Sequence, residues 1–290
     1  MISYRHHIVS LLAVFLALAV GIVLGGGPLT ELGRAEPPAA DVPGAQRATR
    51  QVERSAAFGD DFAAAGAATL YDGRLEGQAV SLLTLPGAGG DDVDALGAQV
   101  EAAGGTVAGT YVARPALVSA GEKSLVDTLG SQLMTQLGTG AVSADAPTYE
   151  RLGELLGIAL GASEASAEDT TSVRQSLAGA ELLTSPSEPE ASGLVLVVLG
   201  DEIDDAILAG LVTGLADRAT GVVVAGDTES GVSGDLKALR GEGLVDEVAT
   251  VDGVDTGIGR VTAALALARS IRVQGGSFGA SGSDGAVPLG

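Results

Sequence analysis

Residues Ile8 to Gly27 read IVSLLAVFLALAVGIVLGGG, a run with no charged side chain, and nothing else in the chain constrains its architecture as strongly. At about 1.5 Å per residue, a helix of this length reaches roughly 30 Å, the thickness of a bilayer's hydrocarbon core. A cleaved signal peptide is the competing reading. Its apolar core is about 7–15 residues long and ends in an A-x-A-like site. Val23-Leu24-Gly25 matches such a site poorly, so an uncleaved anchor is the better reading. Arg5, His6 and His7 flank the start of the run, while Glu31 precedes Arg34 beyond its end. The positive-inside tendency then predicts a single-pass protein of the cell membrane. Residues 1–7 are expected in the cytoplasm, 8–27 in the lipid bilayer, and the main domain on the extracytoplasmic side.

Ala13, Ala17, Gly21 and Gly25 recur at every fourth position and line small residues along one face of the expected membrane helix. Two such faces can approach closely, which predicts a homodimer packed through the membrane. The alternative is that Ala and Gly are simply common in this chain, which holds 44 glycines.

Hydrophobic residues make up 46% of the sequence but aromatics only 3%, so a core must be built from Leu, Val, Ile and Ala. The formal net charge of −21 argues against a nucleic-acid surface, because an acidic face repels phosphate backbones. Such acidity serves to keep an Ala/Gly-rich domain soluble. Cysteine is absent, which rules out disulfides, thiolate metal sites and thiol catalysis.

Beyond the membrane run, EPPAADVPG (Glu36 to Gly44) is a Pro-rich break, and 28–76 reads as a linker and short helical stalk. The helical part of the stalk runs from Ala45 to about Ala68. Sustained a/d heptads are missing from it. Residues 77–273 alternate strand-like and helix-like segments. QAVSLLTLPG is a short apolar strand, DDVDALGAQVEAAGG a helix capped by Asp91 or Asp92, and TVAGTYVA a second strand, together a parallel βαβ unit. Helices are expected over Glu122 to Leu137, Pro147 to Leu160 and Glu168 to Leu183, and SPSEPEASG reads as a linker. LVLVVLG, GVVVAGD and EVATV are further strands. Asp201 to Ala219 forms a helix, and a last helix enters through Thr256-Gly-Ile-Gly and runs to Ile271. The fold class is α/β, a mostly parallel sheet with helices on both faces, Rossmann-like but without a dinucleotide fingerprint. Residues 274–290 are Gly/Ser-rich and expected to be a disordered tail.

Little in the sequence points to catalysis. PGAGGDD and LGDEIDD follow strands, yet neither is a G-x-G-x-x-G or a P-loop. The loop from Gly226 to Asp235 is Gly-rich, but Asp227, Glu229 and Asp235 would repel phosphate. Asp201, Glu202, Asp204 and Asp205 stand where a strand gives way to a helix. They could hold a hard cation, but helix capping is the commoner role. The only histidines lie before the membrane run, so the outer domain has no His base for a serine triad and no His for a zinc-hydrolase motif. The chain is expected not to be an enzyme, with no catalytic and no cofactor-binding residues.

MISYRHHIVSLLAVFLALAVGIVLGGGPL is similar to the N-terminus of the actinobacterial MctB-type family of copper transporters. The likeness returns in LLGIAL (Leu155 to Leu160) and in VATVDGVDTGIGRVTAALALA (Val248 to Ala268), with LVLVVLG and GVVVAGD in the expected order between. The chain departs in the stalk, where the family usually carries a longer coiled coil and this sequence has EPPAADVPG. The resemblance implies a role in copper homeostasis or efflux at the cell envelope. It also suggests an alternative, since some members pair with a second envelope membrane protein to control peptidoglycan cleavage during cell division. No functional residue is carried over. Soft Cu(I) prefers Cys and Met, and Cu(II) prefers imidazole. With no Cys and only Met1 and Met134, the candidate copper ligands are His6 and His7, a weak site at best. One helix per chain cannot form a conduit, so the protein is not expected to be a self-sufficient channel.

Overall fold

The computed structural model describes residues 42–138 and 140–289, and the expected membrane helix with His6, His7, Ala13, Ala17, Gly21 and Gly25 lies outside them. Among the described residues no helix is long and apolar enough to cross a membrane. The chain divides into two units, Met1–Ala56 and Ala57–Gly290. The described part of the first is helical.

LVLVV and GVVVA are continuous β-branched and leucine runs, which suit strands covered on both faces. They form β4 (Leu194–Val198) and β5 (Gly221–Ala225), at the middle of a sheet ordered β3-β2-β1-β4-β5-β6-β7. The other strands are β1 (Ala79–Thr84), β2 (Thr106–Ala113), β3 (Leu183–Thr184), β6 (Ala249–Val251) and β7 (Gly276–Phe278). Every pairing is parallel except β2 with β3. Side chains alternate across the sheet as a strand's two-residue period requires. Val195, Val197, Val222 and Val224 enter one core, while Leu194, Leu196, Val198 and Val223 enter the other.

The first core is covered by α3 (Lys123–Leu137), α4 (Thr148–Ala159), α5 (Ala167–Gly179), α6 (Asp205–Ala216) and α8 (Asp235–Gly241). The second is covered by the end of α1 (Val42–Tyr71), from Ala63 to Tyr71, with α2 (Gly90–Ala102) and α9 (Gly257–Ser270). A short helix, α7 (Thr228–Val232), precedes α8. The expected α/β class and mostly parallel sheet are what the fold contains.

Four details differ from the sequence reading. The expected stalk does not stop short of the domain: Ala63, Ala67, Tyr71 and Leu75 are buried in the second core, so the domain takes in the end of α1. Pro43 sits in the first turn of this helix, where a missing N–H costs nothing. Neither Asp91 nor Asp92 caps α2. Gly89 holds that position without a side-chain bond, and Asp92 pairs with Arg260 instead. The helix expected to run to Leu183 ends at Gly179, and the residues after it turn back as the antiparallel edge strand β3.

The fourth is the C-terminal segment. Residues expected to be disordered supply β7, which pairs with β6 and buries Phe278. Arg240 and Asp252 add hydrogen bonds to the Phe278 carbonyl, the Ser281 hydroxyl and the Ser281 amide.

Among the described residues the most extensive helix packing is that between α4 and α6. Gly153 and Gly157 on α4, and Gly210 and Gly214 on α6, are each four residues apart and so share a helix face. A Cβ at Gly214 would stand 1.9 Å from the Glu150 carbonyl oxygen, and one at Gly153 would stand 2.3 Å from that of Leu211. The backbones therefore touch, and only glycine fits. Beside this crossing the fully buried Glu154 carboxylate accepts from Arg218 Nε at 2.8 Å and Nη2, and from the Ser143 amide at 3.1 Å. A buried carboxylate is tolerable only when paired and hydrogen-bonded in this way.

Candidate functional site

In an open, doubly wound sheet, ligands sit beyond the carboxyl ends of the strands where the strand order reverses. Here that point lies between β1 and β4. The loop after β1 and the loop after β4 meet there, with the Asp201 amide donating to the Pro86 carbonyl at 2.7 Å. A Cβ at Gly200 would come within 2.0 Å of the Ala88 nitrogen, and Gly87 turns with φ at +81°. Main chain from both loops fills the crevice that a dinucleotide occupies in related architectures.

The acidic quartet on the same edge divides its labour. Asp204 caps α6, accepting from the Ala206 and Ile207 amides at 3.1 and 3.3 Å, and Asp205 complements the helix dipole in the first turn. Asp201 and Glu202 are exposed. Among the described residues no group of three or more His, Asp or Glu side chains is placed to hold a metal ion.

The Gly226 to Asp235 segment, read as a loop, contains α7 and the start of α8. Asp227 caps α7, accepting from the Ser230 amide at 2.7 Å. Asp235 is buried and accepts from the Ile203 amide at 3.2 Å. Burial pushes its carboxyl above the usual carboxylate range, opposed by that hydrogen bond and reinforced by the charges of Glu202 and Asp205.

The segment from β6 into α9 is the junction of the fold. The Asp252 side chain is fully buried, and its Oδ1 accepts from Arg240 Nη2 at 2.9 Å. Its Oδ2 accepts from the Ser281 amide at 3.0 Å. Arg240 spends its other donors on Thr250 Oγ1, Ser281 Oγ and the Phe278 carbonyl. Arg240 on α8 and Asp252, just beyond β6, thus grip the C-terminal segment at several points. The Arg269 guanidinium lies 5.4 Å from the Phe278 ring centre and adds a cation–π contact to the same anchor.

The residues after Asp252 are used as fully. Gly253 takes φ of +87°. Asp255 accepts from the Thr228 amide and hydroxyl, both at 2.9 Å. Thr256 caps α9 through the Gly259 amide at 3.1 Å. The Gly257 amide donates to Asp60 on α1 at 2.7 Å, and Arg260 reaches Asp92 on α2 at 2.8 Å. A Cβ at Gly259 would stand 1.9 Å from the Gly253 carbonyl oxygen. One segment therefore ties α1, α2, α7, α8 and β7 to the sheet, and its acids and hydroxyls are consumed by internal bonds.

These features define an α/β domain of Rossmann-like strand order whose switch-point crevice is closed by its own loops. The family profile described as copper transport outer membrane protein, MctB, matches residues 1–289. The proteins named copper transporter MctB from Mycobacterium tuberculosis (strain H37Rv) and Mycobacterium bovis are each 31% identical to this chain, with 92% of both sequences covered. The protein of that name from Mycobacterium leprae (strain TN) is 30% identical over the same shares. The chain belongs to the MctB family, as its two ends suggested.

Proposed function

We propose that this protein supports copper homeostasis or efflux at the cell envelope as one part of an assembly, anchored by its N-terminal helix with the α/β unit on the extracytoplasmic side. Family membership over the whole chain is the observation that carries this reading. Its chemistry within the assembly is neither enzymatic nor that of a channel formed by one chain. The donor set supports an indirect role: the sequence has no Cys, and Met134 is the one soft-ligand side chain among the described residues. Copper, if it touches this chain, would meet His6 and His7 near the cytoplasmic end of the expected membrane helix.

A second reading, an anchored interaction scaffold that regulates cell division or peptidoglycan remodelling through another envelope membrane protein, draws on one surface feature. Phe58 and Phe62, two of the four phenylalanines in the chain, stand four residues apart on α1 and are 73% and 69% exposed. Side chains at that spacing share a helix face and suit contact with a partner or a second copy.

One experiment separates the two readings. A deletion strain under copper stress is expected to accumulate several-fold more copper than its parent, and the wild-type gene to reverse this. Complementation with a Phe58→Asp, Phe62→Asp chain, present at normal abundance, is expected to fail if the α1 face serves copper handling. A deletion strain with the parent's copper content would discard the first reading and leave the scaffold.

A further inference from the structure

At the end of the sheet opposite the closed crevice, an open pocket of about 620 Å³ lies between the turn from α1 into β1, the end of α9 and Leu289. Arg74, Arg269 and Arg272 all line it, with Glu76 as the one carboxylate in the lining. None of the three arginines pairs with Glu76 or with any other acid among the described residues. Three guanidiniums thus share a pocket with one carboxylate, in a chain of formal net charge −21. Like charges drawn together repel one another, and an anion between them would relieve that repulsion.

The second observation is that these donors are both open and unused. A helix C-terminus favours cations, and Arg269 stands in the last turn of α9. Its Nη1 donates to the Val273 and Gly275 carbonyls at 3.3 and 2.6 Å, and its guanidinium lies over the Phe278 ring. Those contacts fix the group but use one nitrogen. Nε and Nη2 make no hydrogen bond among the described residues, and neither is sealed from solvent. Arg74 and Arg272 are exposed, and their side chains form no hydrogen bond or ion pair among the described residues. Arg74 belongs to another segment, so the α9 dipole does not account for the cluster. The lining also carries two apolar side chains, Val273 and Leu289, which are 49% and 57% exposed.

We propose that this pocket binds a phosphate group carried by a ligand with an apolar part. A guanidinium presents its N–H donors as a planar fork that matches phosphate oxygens. Three forks offer more charge and more donors than a single carboxylate can use, which favours the phosphate. Arg269, already held in place, supplies the preorganised fork, and Arg74 and Arg272 add the remaining charge. Val273 and Leu289 cover the apolar part. A lipid headgroup and a soluble phosphate ester share this chemistry.

The test is calorimetric titration of the full-length chain in non-ionic detergent micelles, at constant ionic strength, with inorganic phosphate and, separately, with dihexanoyl phosphatidic acid. Saturable binding of at least one is expected. Arg74→Gln and Arg272→Gln are each expected to weaken it about tenfold. Lys237→Gln, which removes an equal charge from α8, should leave it unchanged. Tighter binding of phosphatidic acid assigns the site to a lipid headgroup, and equal or tighter binding of inorganic phosphate assigns it to a soluble phosphate. Absence of saturable binding with both overturns the proposal. So does unchanged affinity in both arginine variants, or an equal loss in Lys237→Gln, which would reduce the effect to overall charge. Without ligand, neither arginine variant should melt below the wild type. A lower melting temperature with unchanged affinity would make the arginines structural and also overturn the proposal.

Discussion

Gly214→Ala is expected to destabilise the α/β unit by about 2–3 kcal/mol, the upper part of the range for overpacking a tight core. Helix propensity alone argues the other way, because alanine is better than glycine inside a helix by ~1 kcal/mol. Geometry decides the sign. The new methyl group would stand 1.9 Å from the Glu150 carbonyl oxygen and 2.7 Å from the Glu154 nitrogen, both backbone atoms that cannot rotate away. Relief requires α4 and α6 to separate, which also disturbs the buried Glu154–Arg218 pair beside them. In thermal unfolding of the full chain the midpoint should fall by roughly 5–10 °C. Gly179→Ala is the control. It too lies in a helix, nothing stands within 4 Å of its Cβ position, and it should be neutral or slightly stabilising. Equal effects at the two positions would refute backbone contact between the helices.

Asp252→Ala is expected to have the largest effect, a loss of about 3–5 kcal/mol, because it leaves Arg240 partly buried without its counter-charge. It also removes the acceptor for the Ser281 amide. The damage should begin locally, since Asp252 and Arg240 together hold the segment around β7. Hydrogen exchange at residues 276–284 should therefore speed up before exchange in β4 and β5 does. If those amides keep wild-type protection in the variant, the C-terminal segment is held by something other than this pair.

The parts of the fold that could be read from sequence are those where one residue pattern dominates. LVLVV and GVVVA have a single sensible fate, and β4 and β5 occupy the sheet's centre. The helices with glycine or proline at their ends were placed within a few residues. The Gly/Ser-rich segment after Gln274 was misread because its order is not local. It depends on Arg240 and Asp252, which lie far from it in sequence, and no short-range pattern announces a buried pair of this kind. Glycine was hard to interpret for a similar reason. Gly153-x-x-x-Gly157 and Gly210-x-x-x-Gly214 have the spacing of a close helix contact, but among 44 glycines the spacing alone singles out neither.

The candidate site shows the same division. Capping was the expected use of the acids after β4, and Asp204 does cap α6. Asp252 and Asp255 lie between the expected strand EVATV and the helix that enters through Thr256-Gly-Ile-Gly, and neither was singled out by its spacing. Their bonds to Arg240, Ser281 and Thr228 give that segment a physical role in holding the unit together.

Under the proposed function, this member of the MctB family works without gripping copper tightly itself. Copper titration of the purified full-length chain, as Cu(I) under reducing conditions and as Cu(II), followed by metal analysis after desalting, tests it most directly. The expected result is no retained metal and no affinity tighter than about micromolar, given so few Cys, Met and His donors. Retention of one copper per chain with nanomolar affinity would contradict the claim and move the metal site onto this protein.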